Sequence, residues 1–174
     1  NQIRARNGKL RSERAKILIV CEDSKSSVLY FRSLCKEYRI NGKVLVDGNS
    51  GSAPISVVDY AINLVCKKDA KYDVAFCVID RDRHTTFDAA IDKVNRWNSP
   101  KGKSIKLQVI TSYPCFELWI LLHFEYFAKS CPTFTDLERF LNKKLSERNL
   151  PKYSKSTSDL CALLLPLTDM AIKN

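Results

Sequence analysis

Four acidic residues occupy positions from which they could share one site: Glu22, Asp80, Asp82 and Glu117. Asp80 and Asp82 follow the apolar run Val74–Ile79 directly, with Arg81 between them. Alternate residues on an extended chain point the same way, so both carboxylates can face one ligand. Glu22 ends an earlier apolar run, Lys16–Cys21, and Glu117 opens an apolar segment later in the chain. Hard oxygen donors of this kind suit Mg²⁺ or Mn²⁺. Brought together without a cation, they would raise one another's pKa by repulsion. Each acid also has a plainer role. Asp after a strand is a common turn residue, and Glu at a helix start is favoured by the helix dipole. The joint pattern points to a metal site: D-x-D after a buried strand, with a further acid at the end of the first strand.

Basic groups lie near these acids in sequence. Lys25, Arg81 and Arg83 could contact phosphate, although exposed basic residues at loop ends are commonly just solvated. His84 could carry a proton or donate to phosphate. Tyr113 lies in a loop near the same edge and could stack a base. His123, Trp119, Phe124 and Phe127 fall on an apolar helix and read as core.

The elements that would position these groups follow from hydrophobic spacing. Val74–Ile79 is apolar without alternation, as in a strand covered on both faces of a parallel sheet. Lys16–Cys21, Lys43–Val46 and Ile105–Ile110 are three further strands. Helical spacing appears at Val28, Leu29, Phe31, Leu34 and Cys35, with Asp23 or Ser24 as the cap. It recurs at Val57, Val58, Ala61, Ile62 and Val65, after Ser52 as cap and Pro54 in the first turn. A third helix starts at Thr85 or Thr86 and turns Phe87, Ala90, Ile91, Val94 and Trp97 inward. A fourth runs from Cys115 or Phe116 to about Phe127. The glycine-containing loop 48–54 reads as a plain strand-to-helix connection, with phosphate contact as the other reading. It is no P-loop, because no Gly-Lys-Ser/Thr follows.

Strand and helix thus alternate four times, the signature of a doubly wound α/β fold, whose ligands bind at the carboxyl ends of the strands. After Ser130 the pattern becomes helical. Thr135-Asp136-Leu137-Glu138 reads as a capping box opening a helix through about Glu147. Residues 149–157 read as a polar linker, and a last helix around Leu160–Leu165 is broken or kinked by Pro166. The expected division is a basic N-terminal arm over 1–15, an α/β domain over 16–130 and a helical annex over 131–174.

A chain of 174 residues is long enough for one domain with a real core. Its net charge is +10, and half of that comes from the first sixteen residues, where Arg4, Arg6, Lys9, Arg11, Arg14 and Lys16 outweigh Glu13. Clustered basic residues gain by releasing counterions from nucleic acid. An acidic protein or a membrane surface would also satisfy such an arm. The seven cysteines are odd in number and lack C-x-x-C spacing, which fits reduced thiols in a cytoplasmic protein. With two histidines far apart, a zinc site is not expected. No apolar run reaches the ~18 residues of a membrane span, and no signal peptide is recognisable.

The arrangement resembles a Toprim domain, the fold shared by topoisomerases, primases and certain nucleases. Such domains carry a Glu after the first strand and a D-x-D after a later one, here Glu22, Asp80 and Asp82. The chain is more closely similar to the RloB-like family of prokaryotic proteins. That resemblance rests on Ile17–Glu22, on Asp80-Arg81-Asp82 with His84, and on Pro114–Trp119 continuing through Leu122-His123-Phe124. Lys25 matches a usual basic position. The turn after Glu22 departs from the family, with Asp23, Ser24 and Ser27 where Gly and further acids are usual.

The resemblance implies a Toprim-like (Rossmann-like) parallel sheet of about four strands with flanking helices. It implies metal-dependent cleavage of nucleic acid, either RNA, including tRNA, or DNA. Glu22, Asp80 and Asp82 would be the metal ligands, with Glu117 in the catalytic set. Because the family is associated with restriction and phage-defence loci beside ABC- or AAA-type ATPases, it also implies an ATPase partner, with a homodimer compatible. The competing reading is a Toprim module that binds nucleic acid or the ATPase without catalysis. A primase-like or topoisomerase-like enzyme is a third reading; the chain is short for it, and no tyrosine declares itself as a nucleophile.

Overall fold

The computed structural model describes residues 15–82, 84–100, 105–156 and 158–174. Four strands, β1 (Ile17–Cys21), β2 (Val44–Asp47), β3 (Val74–Asp80) and β4 (Lys106–Ser112), form one sheet in the order β2-β1-β3-β4. Every pairing is parallel. Helices α1 (Ser26–Glu37), α2 (Pro54–Val65), α3 (Phe87–Asn98) and α4 (Glu117–Leu122) follow the strands in turn. The annex adds α5 (Phe134–Ser146), α6 (Ser158–Leu164), a 3-10 turn (Leu165–Leu167) and α7 (Thr168–Lys173). None of the helices among the described residues is long and apolar enough to cross a membrane.

Burial on both sheet faces explains why the strands do not alternate. Leu18, Val20, Ala75, Cys77 and Ile79 pack with residues of α2 and α3. Ile19, Cys21 and Val78 belong to the opposite core, with Val28 of α1 and Leu121 of α4. Leu137, Leu141 and Leu145 of α5 and Leu160 and Leu164 of α6 lie in that second core too. Annex and sheet therefore share apolar contacts. All seven cysteines are unpaired, and six are buried; Cys66, at the end of α2, is exposed.

The chain leaves β1 for β2 on one side, and β3 pairs on the other. The crevice beyond the β1 and β3 carboxyl ends is thus the topological switch point, where open α/β sheets take their ligands. The Glu22 N–H carries the pairing one step past β1 by donating to Val78 O at 3.1 Å. The loop after β2 buttresses this tip: Ser50 Oγ donates to Cys21 O at 2.9 Å. Gly48 permits the approach, because a Cβ there would lie 2.7 Å from both Asp23 O and Val28 Cγ2.

Several boundaries differ from the sequence expectation, for identifiable reasons. The first helix begins at Ser26, and Asp23 braces it from outside, accepting from the N–H of Lys25 at 2.6 Å and of Ser27 at 3.2 Å. Ala53 rather than Ser52 precedes α2, and no side chain caps it. The expected capping box at Thr135 is set two residues earlier. Thr133 is extended and accepts from the Asp136 N–H at 3.3 Å, while its hydroxyl donates to the Asp136 carboxylate at 2.6 Å. α4 ends at Leu122 instead of about Phe127. The fully buried His123 ring places Nδ1 2.8 Å from Trp119 O, and its backbone N–H donates to Ile120 O instead. A side chain has taken the carbonyl that the next helical N–H would need. Because a carbonyl only accepts, Nδ1 carries the hydrogen, and His123 is a satisfied core residue.

Candidate active site

Glu22 and Asp80 meet at the switch point because β1 and β3 are neighbours in register, with Cys21 opposite Val78. Glu22 Oε2 accepts from the Asp80 N–H at 3.0 Å. Its other oxygen lies 3.6 Å from His84 Nε2. Burial pushes the Glu22 carboxyl above its ordinary pKa; the Asp80 amide and His84 pull it back, and the charges of Asp82 and Asp23 add to the rise. Asp82 is exposed beside this group.

Asp80 is the most strained of these acids electrostatically. Burial raises its pKa first, then the charges of Glu22 and Glu117, and together they push it up to about 7. The Phe116 backbone N–H, just before α4, works against the rise. Residues from the ends of β1 and β3 and from the start of α4 therefore act on one carboxyl, as the alternation of elements predicts.

Glu117 is nearly fully buried, at 1% exposure, and its carboxylate has partners of its own. Tyr153 Oη donates to Glu117 Oε1 at 2.8 Å, and Lys155 Nζ lies 3.6 Å from the same oxygen. Burial and the Glu117 charge push the Tyr153 phenol well above its ordinary pKa, so it remains a donor. Sequence reasoning missed Tyr153 and Lys155 by reading 149–157 as a linker. The available signal was a lone aromatic in a polar tract.

The basic candidates separate. His84 is at the site, half-exposed against Glu22. Lys25 is exposed at the turn into α1. Arg81 is also exposed, but its guanidinium lies 5.6 Å from the Phe87 ring centroid, toward α3. Arg83 and the basic arm through residue 14 lie outside the described residues.

Among the described residues, no three His, Cys, Asp or Glu side chains already stand together as a metal shell. Glu22 is turned to the Asp80 amide and His84, and Glu117 to Tyr153 and Lys155. The donor chemistry nonetheless fits a hard divalent cation. All four groups offer carboxylate oxygens, and a cation would offset the burial and the acidic neighbours that raise the Asp80 pKa.

A family model described as "RloB-like protein" matches residues 17–174, almost the whole described chain. The chain belongs to the RloB-like family. The match begins at β1 and runs through α7, so it includes the annex that supplies Tyr153 and Lys155. No curated protein and no solved structure matches the chain.

Proposed function

We propose that this RloB-like protein hydrolyses phosphodiester bonds in nucleic acid with the help of Mg²⁺ or Mn²⁺. The observation that carries this reading is Asp80. A carboxyl at the switch point of a parallel sheet is crowded by Glu22 and Glu117, in a chain whose net charge is +10. A purely electrostatic binder of phosphates gains nothing from concentrating negative charge there.

In this mechanism Glu22, Asp80 and Asp82 would hold one or two cations, and Glu117 would hold a second ion or steady the first set. When bound, the cation supplies stabilisation of charge on the scissile phosphate and a more acidic attacking water. His84, against Glu22, is placed to take or return a proton. Lys25 and Arg83 hold flanking phosphates, and Arg81 joins them by leaving Phe87. The family resemblance supplies the wider proposal: an effector of anti-phage defence that works beside an ABC- or AAA-type ATPase, with RNA, including tRNA, or DNA as target.

A second reading has its own support. Tyr153 and Lys155 occupy Glu117, as would suit a Toprim module that binds nucleic acid or an ATPase without cutting. The deciding experiment incubates the protein, alone and with a cognate ATPase, with tRNA, single-stranded RNA and duplex DNA in Mg²⁺ or Mn²⁺. Cleavage lost in Glu22→Gln and Asp80→Asn supports the nuclease. Cleavage indifferent to both substitutions removes this mechanism, and its absence under every condition favours the binding module.

A further inference from the structure

A second feature adjoins the carboxylates. An open cavity of about 370 Å³ lies between α1, the carboxyl end of β4, α4 and the start of α7. This is within the ~300–1,000 Å³ typical of small-molecule sites. Five aromatic side chains, Tyr30, Phe31, Tyr113, Phe116 and Trp119, share its wall with four aliphatic ones. Among the described residues that line it, none is charged; the polar side-chain groups are hydroxyls, including Ser112, and the Trp119 indole N–H. The lining therefore suits a neutral, flat, largely apolar group and not a phosphate.

The cavity is joined to the site by shared residues. Phe116 lines the cavity, while its backbone N–H supports the Asp80 carboxylate. Ser112, another wall residue, is the β4 partner of Asp80, and its carbonyl accepts from the Arg81 N–H at 2.7 Å. Tyr113 stands at this end, 52% exposed. β4 is an edge strand of the sheet, and among the described residues no further strand pairs beyond it. Apolar walls leave water poorly bonded, whereas the faces of aromatic rings attract a nucleobase of any identity.

We infer that this cavity is a nucleobase subsite, receiving an unstacked base of the nucleotide whose phosphate lies at Asp80. The inference deepens the nuclease reading and rests on it. Its consequence is a substrate class: single strands, loops or ends, where a base is free to leave the stack, in preference to an intact duplex. Base specificity is expected to be weak, because stacking is sequence-tolerant and the lining is poor in groups that read a base edge.

The test measures binding in chelator, so that it is independent of cleavage. Trp119 lines the cavity, and Trp97→Phe removes the chain's other tryptophan, making Trp119 the reporter. A single-stranded oligonucleotide dodecamer is expected to quench Trp119. An abasic dodecamer with the same phosphates, and a duplex of the same sequence, are not. Tyr113→Ala is expected to weaken single-strand binding about tenfold, within the range of lost base–aromatic stacking. Tyr38→Ala removes an exposed aromatic outside the cavity lining and is expected to leave binding unchanged.

Equal quenching by the abasic strand overturns the proposal, as does unchanged binding by Tyr113→Ala. If either occurs while the wild type still cleaves in Mn²⁺, the subsite is wrong and the nuclease reading stands. Base-dependent quenching without any cleavage leaves the subsite in place and removes the nuclease. A dimer that forms through this face and is broken by Tyr113→Ala would assign the cavity to a second copy of the chain and overturn the proposal.

Discussion

Glu117 is a buried carboxyl and Asp80 a partly buried one near the same sheet edge, and their surroundings differ. Burial and the charges of Glu22, Glu117 and Asp23 push the Asp80 pKa up to about 7, against the pull of the Phe116 backbone N–H. Glu117 is buried more completely, yet it has the Tyr153 hydroxyl at 2.8 Å and the Lys155 ammonium at 3.6 Å. Burial raises a carboxyl's pKa, and the charges and donors that reach it add to that rise or offset it. Among the described residues, no ammonium or guanidinium forms an ion pair with the first carboxyl. The other is supplied from the annex.

The sharpest test of this contrast pairs activity with stability. Asp80→Asn is expected to reduce cleavage by more than the ~10–100-fold typical of lost outer-shell partners. The same substitution should leave the metal-free protein at least as stable at pH 8, because it removes a repelled charge. A melting curve in chelator checks the second half, and marked destabilisation would show that Asp80 is already well paired.

Tyr153→Phe should act in the reverse direction. It leaves a buried carboxylate without its hydroxyl donor, a loss of about 1–3 kcal/mol. Urea denaturation measures it, and Glu117→Gln in the same background should recover part of the loss. If Tyr153→Phe proves neutral, the annex does not hold Glu117.

The pH dependence follows from Asp80. Its folded pKa of about 7 exceeds the ordinary ~3.9 of the unfolded chain. Between about pH 4 and 7 the folded protein retains a proton that the unfolded chain has released. The associated stabilisation is present in full below this window and is lost as pH rises through it. In chelator, melting temperature should therefore fall by a few degrees more from pH 5 to pH 8 in the wild type than in Asp80→Asn. Mg²⁺ should raise it at pH 8 and have little effect at pH 5. Equal pH profiles for the two proteins would remove the crowding argument.

Lys155→Ala should have the smallest effect, below about 1 kcal/mol and decreasing with salt. The lysine is 46% exposed, and such pairs are well screened. A loss as large as that of Tyr153→Phe would show that the charge, not the hydroxyl, sustains Glu117.

The sequence by itself determined the parallel sheet, the alternation of strands and helices, and the placement of acids after β1, after β3 and at the start of α4. These depend on local patterns: apolar runs without alternation, helical spacing and turn residues. Convergence of Glu22 with Asp80 was legible for the same reason, since neighbouring parallel strands end on one edge.

Only the tertiary structure decided the rest. Tyr153 meets Glu117 across thirty-six positions of chain, a contact that no short window contains. The end of α4 is set by where the His123 ring can be buried, and the start of α5 by an extended Thr133 rather than by the better-looking motif two residues later. The aromatic cavity, too, exists only because α1, β4, α4 and α7 meet around it. Local propensity selects the elements, whereas the partners of a buried polar group are chosen by everything packed around it.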